Sequence, residues 1–105
     1  MNVSAVVITY NDEKHLEDCL NNLRVCNQLI VVDLGSSDDS VSIGKKYATH
    51  FLSHKWEPIA EFVFPEILDL LNYEWVLRAD PDEVYPLSLL KTMAIRIDQD
   101  DNVSR

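Results

Sequence analysis

The sequence predicts an α/β domain, a three-layer α/β/α arrangement around a mostly parallel, doubly wound sheet. Three observations predict it. Short apolar runs rich in β-branched residues recur along the chain. Stretches with helical periodicity separate them. Polar and acidic residues gather where the runs end.

Val3 to Ile8 (Val-Ser-Ala-Val-Val-Ile) is almost continuously apolar and reads as a strand buried on both faces. Thr9-Tyr10-Asn11-Asp12 breaks the run, and Asn11 or Asp12 is suited to cap a helix. Glu13 then falls in the first turn, at the positive end of the helix dipole. Leu16, Cys19, Leu20 and Leu23 recur at i, i+3, i+4 and i+7, which is one apolar helical stripe. Leu29 to Val32 is the second strand, ending at Asp33, and Gly35 to Asp39 is a turn cluster.

A second helix is predicted from about Ser40 to Ala48, packing through Val41, Ile43, Gly44, Tyr47 and Ala48. His50 to Ser53 is a weak third strand. Ile59, Phe62, Val63, Ile67, Leu70 and Leu71 fit a third helix, which Pro65 should kink or restart. Glu74 to Ala79 is a fourth strand ending at Asp80. Pro86 opens a fourth helix expected to reach about Ile97. The predicted domain is therefore 1–97, followed by a polar tail, 98–105.

Composition narrows the function. In 105 residues Asp and Glu number 18 against 9 Lys and Arg, a formal net charge of −9. A surface of that sign repels phosphate backbones, so nucleic acid is excluded as a partner, and an anionic ligand must bring a cation with it. The 47% hydrophobic content suits one small core. No run approaches the roughly 18 apolar residues of a membrane span. Met1-Asn2-Val3-Ser4 carries no basic segment of a secretory signal. Cys19 and Cys26 then read as reduced thiols, Cys19 in the core and Cys26 in an exposed loop, and the expected location is cytoplasmic. Any contact with the cytoplasmic face of a membrane would be made through the rest of a parent protein. Trp56 and Trp75 read as packing residues, and His15, His50 and His54 lack ligand spacing.

In open parallel sheets ligands bind outside the carboxyl ends of the strands. Three such ends here are polar: Thr9-Tyr10-Asn11-Asp12, Asp33, and Asp80-Pro81-Asp82-Glu83. Turns alone favour these residue types, but three acidic ends on one rim favour a site. Asp80 and Asp82 stand at i and i+2 of an extended segment, so they point the same way. Pro81 fixes its own φ and biases Asp80 toward extension. Two convergent carboxylates suit a hard divalent cation, Mg²⁺ or Mn²⁺, which would also neutralise a diphosphate.

Val6-Val7-Ile8-Thr9-Tyr10-Asn11, Ile30 to Asp38, and Trp75 to Glu83 stand in an order and spacing that resembles family 2 glycosyltransferases of the GT-A fold. His54-Lys55-Trp56-Glu57-Pro58 is similar to the segment before that family's third helix. The resemblance covers about Val3 to Ile97 and implies the Rossmann-like, nucleotide-binding half of such an enzyme. It implies that Thr9, Tyr10 and Asn11 line the nucleoside pocket and that Asp33 contacts base or ribose. Asp80 and Asp82 match the D-x-D motif, Asp82 closest to the metal and Asp80 nearer ribose and phosphates. Gly35 allows the turn beside the nucleotide. The implied ligand is a nucleotide-diphosphate sugar, and the implied acceptor a glycan, lipid or protein.

The chain departs from the family pattern in three places. Leu34 stands where a second Asp is frequent and offers no polar base contact. Phe64-Pro65 occupies about the place of an Arg-Asn pair, removing a basic group near the phosphates. No residue matches the general base, so no catalytic residue is identifiable and the acceptor half is not expected within these residues. Without that half, exposed sheet is expected to favour self-association. Two alternatives compete: a non-catalytic interaction domain that keeps the fold, and a phospho-accepting receiver domain. The receiver pattern needs paired acids after the first strand and a Lys at a late strand end; this chain has Asn11-Asp12 and no such Lys.

Overall fold

A computed structural model describes residues 2–58, 63–81 and 95–96. Strands β1 (Ser4–Thr9), β2 (Gln28–Asp33), β3 (His50–Ser53), β4 (Trp75–Ala79) and β5 (Ile95–Arg96) form one sheet in the order β3-β2-β1-β4-β5. The first four are parallel; β5 runs antiparallel to β4. Helices α1 (Glu13–Asn22), α2 (Ser40–Tyr47) and the short α3 (Phe64–Ile67) link them, with 3₁₀ turns at Leu23–Val25 and Leu68–Leu70.

The continuous apolar runs are explained by cover on both faces. Alternate residues point to opposite sides. Ala5, Val7, Leu29, Val31, Leu77 and Ala79 meet the α1 stripe, Leu16, Cys19 and Leu20. Val6, Ile30, Val32 and Val76 meet Val63, Ile67 and Leu34 on the other side. The α/β/α layering is therefore present, with α1 and α2 on one face and the α3 segment on the other. Gly44 brings α2 close to the sheet: a Cβ there would lie 2.6 Å from the Phe51 ring.

Several boundaries and environments differ from the sequence expectation. The first strand lies one residue further on, Ser4–Thr9, and the second starts one residue earlier, at Gln28, and ends at Asp33 as expected, so Thr9 and Asp33 are the last residues of β1 and β2. Residues 59–62, and with them Ile59 and Phe62, lie outside the described residues. What is described of the third helix starts at Phe64, with Pro65 in its first turn, where a missing N–H costs nothing. Within the stretch expected to form a fourth helix, the two described residues are strand: Ile95 and Arg96 pair with Val76 and Trp75 on the β4 edge, where ladder hydrogen bonds outweigh helical propensity. Residues 86–94 and the tail lie outside the described residues. Cys26 is buried, not exposed, because the 3₁₀ turn after α1 folds it under the core. Trp56 and Trp75, read as packing residues, are 56% and 40% exposed.

Candidate functional site

The strand order reverses beside β1. The chain steps from β1 to β2 to β3 in one direction, then crosses to place β4 on the other side of β1. Crossovers diverge at such a point and leave a crevice at the carboxyl ends of the strands. Thr9, Tyr10 and Asn11 stand at its β1 side, Asp33 at the tip of β2, and Asp80 directly after β4.

Thr9 and Asp33 are register partners on neighbouring strands and are almost fully buried. Asp33 Oδ2 accepts the N–H groups of Gly35 at 3.0 Å and Ser36 at 2.9 Å, the Asx turn expected of an Asp before a tight reversal. Gly35 takes φ +91°, a region that favours glycine. Asp33 Oδ1 and Thr9 Oγ1 are buried with no hydrogen-bond partner among the described residues. Such orphans are uncommon, and each calls for a partner supplied from elsewhere.

The loops after β1 and β2 are laced together. Asn11, at φ +52°, accepts the Ser37 N–H through its side-chain oxygen at 2.8 Å, and its own N–H donates to Ser36 Oγ at 2.7 Å. The Leu34 N–H donates to the Thr9 carbonyl at 2.9 Å. Asp12 occupies the position before α1 but makes no side-chain cap. Capping comes from the neighbouring loop instead: the Glu13 N–H donates to Asp38 Oδ2 at 3.1 Å, and Glu13 Oε1 accepts the Asp39 N–H at 2.9 Å. Burial would raise the Asp38 pKa. Donation from the Ser40 hydroxyl and N–H and from the Glu13 N–H reverses that and holds it below its ordinary value.

Beyond β4, Asp80 is exposed and its carbonyl accepts the buried Cys19 thiol at 3.4 Å, tying α1 to this tip. Asp82 lies outside the described residues, so its convergence with Asp80 is not described. The donor set that the sequence supplies here, hard carboxylate oxygens in an acidic chain, fits Mg²⁺ or Mn²⁺ by chemistry. Among the described residues no cluster of three or more His, Cys, Asp or Glu forms. The Leu34 side chain is buried in the core layer with Val63 and Ile67.

Two residues at this rim gain roles that sequence reasoning did not assign. The exposed Trp56 ring meets Tyr10 at 6.5 Å between centroids. His54 anchors the same segment. Its N–H donates to the Asp33 carbonyl at 2.8 Å, and its ring nitrogens face the Lys55 carbonyl at 2.7 Å and Glu66 Oε2 at 2.5 Å. The pairing of His54 with α3 twelve residues on has no local pattern; the exposed aromatic at 56 was visible but ambiguous.

A doubly wound, mostly parallel sheet with polar residues gathered at its switch point defines a Rossmann-like α/β domain. Comparison sharpens the class: the sequence model described as Glycosyl transferase family 2 matches residues 4–104, and the chain belongs to that family. It is 29% identical over 92 residues to the SPbeta prophage-derived glycosyltransferase SunS of Bacillus subtilis, covering 79% of this chain and 20% of that protein. It is 27% identical over 89 residues to the lipopolysaccharide core biosynthesis glycosyltransferase LpsC of Rhizobium meliloti, covering 77% and 32%. Residues 1–349 of TarS from S. aureus superpose with a TM-score of 0.68 at 27% identity, covering 88% of this chain and 31% of that one. The mannosyltransferase PcManGT from Pyrobaculum calidifontis, in complex with GDP-Man and Mn²⁺, superposes with a TM-score of 0.72 at 21% identity, covering 85% and 30%. That likeness shows the fold, which is GT-A. The chain spans between a fifth and a third of the length of these relatives.

Proposed function

We propose that residues 1–97 form the donor-nucleotide part of a family 2 glycosyltransferase, taking a nucleotide-diphosphate sugar at the β1–β2–β4 rim. Residues 98–105 are a polar tail. The observation that carries the reading is the pair of orphaned buried atoms, Thr9 Oγ1 and Asp33 Oδ1, on register partners at the crevice. A carboxylate oxygen and a hydroxyl side by side suit the N–H edge of a base or the hydroxyls of a ribose. Complexes of fold relatives with GDP-Man and Mn²⁺ and with UDP and Mn²⁺ support the same ligand class.

In this reading Asp33 accepts from the nucleoside, Thr9 supports it, and Tyr10 covers it. Asn11 holds the Gly35 turn in the shape that admits it. Asp80 lies nearest ribose and phosphates, and Asp80 with Asp82 holds Mg²⁺ or Mn²⁺. Bound there, the cation neutralises the diphosphate and stabilises it as a leaving group. The acceptor, a glycan, lipid or protein, is engaged by parts of a parent protein other than these residues, and so is the general base. Cys19 and Cys26 are both buried and neither is joined in a disulfide, which supports a reducing, cytoplasmic setting. No helix among the described residues is long and apolar enough to cross a membrane.

The test is thermal unfolding with UDP or GDP, with and without Mn²⁺. The nucleotide and metal together should raise Tm by mass action, and Asp82→Ala should abolish the shift while leaving the Tm of the ligand-free protein unchanged. If calorimetry detects no nucleotide with or without metal, the chain is an interaction domain that has kept the fold alone.

A further inference from the structure

We infer that Trp56 is a nucleobase-contact residue, forming with Tyr10 an aromatic corner that receives the base of the donor. The inference deepens the donor-nucleotide reading and rests on it.

The placement comes from the register. Ser53, the last residue of β3, pairs with Asp33, and Asp33 pairs with Thr9. Tyr10 follows β1 by one residue and Trp56 follows β3 by three. These two strands flank β2, so a contact between the two rings spans the tip of β2, where Asp33 sits. Parallel neighbours are about 4.8 Å apart, so the two chain ends stand about 10 Å from one another before their side chains lean inward. The rings meet at 6.5 Å with an interplanar angle of 69°. An edge-on pair leaves at least one ring face uncovered. Here the uncovered area is large, since Tyr10 is 44% exposed and Trp56 56%.

Two large aromatics left in water beside two unpartnered buried polar atoms are complementary features. A flat heteroaromatic ring stacks on the apolar faces and presents its polar edge toward Asp33 Oδ1 and Thr9 Oγ1. A sugar also stacks on tryptophan, but it does not need the buried acceptor at the strand tip; the base uses both features. The segment carrying Trp56 is held in advance. The His54 N–H binds the Asp33 carbonyl, and the His54 imidazole bridges Lys55 and Glu66. A ring fixed before the ligand arrives loses less entropy on binding.

Tryptophan emission reads this directly, because the chain has two tryptophans and Trp75 begins β4 at the opposite rim. Trp75→Phe leaves Trp56 as the sole emitter. Titration of that variant with UDP and with GDP, in Mg²⁺ to avoid paramagnetic quenching, should quench or shift the emission along a saturable curve. Pyrophosphate with Mg²⁺, which lacks a base, should leave it unchanged. Trp56→Ala should raise Kd by calorimetry about tenfold, with Trp56→Phe within about threefold of the parent, as expected where stacking is the contact. Calorimetric binding without any change in Trp56 emission overturns the inference and leaves the donor-nucleotide reading intact. Equal changes with pyrophosphate, or a response to free monosaccharide alone, also overturn it. Absence of calorimetric binding to the parent chain removes both.

Discussion

The side-chain oxygen of Asn11 accepts the backbone N–H of Ser37 at 2.8 Å, fastening the loop after β1 to the loop after β2. Asn11 does this from a left-handed conformation, φ +52°, that most side chains avoid. The residue assigned to the nucleoside pocket is thus also a structural fastener between two walls of that pocket.

Asn11→Gly keeps the backbone conformation and removes the hydrogen bond. Asn11→Ala loses both. Urea unfolding should show a loss below about 1 kcal/mol for glycine and about 1–2 kcal/mol for alanine. Equal losses in the two variants would mean that the backbone conformation contributes nothing.

Gln28 is the counterpart at the other rim. It is buried; its Oε1 accepts the Ser4 hydroxyl at 2.5 Å and the Asn72 N–H at 2.9 Å, and its Nε2 donates to the Leu70 carbonyl at 2.6 Å. Gln28→Leu strands three polar groups and should cost about 2–4 kcal/mol, since a buried unsatisfied group costs roughly 1–3. Nucleotide affinity, measured well below the lowered Tm, should not change. A parallel loss of affinity would contradict the separation of the two rims.

His54 gives the protein a pH dependence. The Lys55 carbonyl and the Glu66 carboxylate both accept, so the ring satisfies both only as imidazolium. The carbonyl first, then the carboxylate, raise the pKa above its ordinary 6.5, against the opposing loss of hydration. A pKa raised on folding contributes stability that is fully present below about 6.5 and is lost as pH rises through the folded value. Tm should therefore decline through that window. Glu66→Gln should flatten the decline and lower the His54 pKa by NMR titration. A His54 resonance titrating at or below its ordinary value would end the argument.

Gly44 tests the packing of α2 on β3. A Cβ at Gly44 would lie 2.6 Å from Phe51 Cε1 and 3.1 Å from Val31 Cγ1. Overpacking costs roughly 1–3 kcal/mol, against about 1 kcal/mol gained in helix propensity. Gly44→Ala should lower stability by about 1 kcal/mol, and in a Phe51→Leu background the same change should be neutral or stabilising. Additive effects in the double-mutant cycle would show that Phe51 is not the obstacle.

The sheet was legible because each run, from Val3 to Ile8 and from Leu29 to Val32, is apolar on both faces, and only a covered parallel strand needs that. The strand-end acids were legible for the same reason, since polar residues there interrupt an otherwise apolar pattern. Less legible was anything set by partners distant in sequence. Asp38 caps the helix that Asn11 or Asp12 was expected to cap, bonding the Glu13 N–H from 25 residues away. Ile95 and Arg96 are strand because β4 offers them a ladder, not because of their own preference. Trp56 looked like core by residue type and stands in solvent, because the strand before it ends at an edge of the sheet.

Four strands sharing one direction give the molecule a carboxyl-end side, where the donor site is proposed, and an idle side at the amino ends. Asn2, which accepts from Asn27 at 2.6 Å, belongs to the idle side with Gln28 and Trp75. A dye or surface tether attached at Asn2 faces away from the proposed donor site, so an immobilised copy should leave that rim open to the bulk solution.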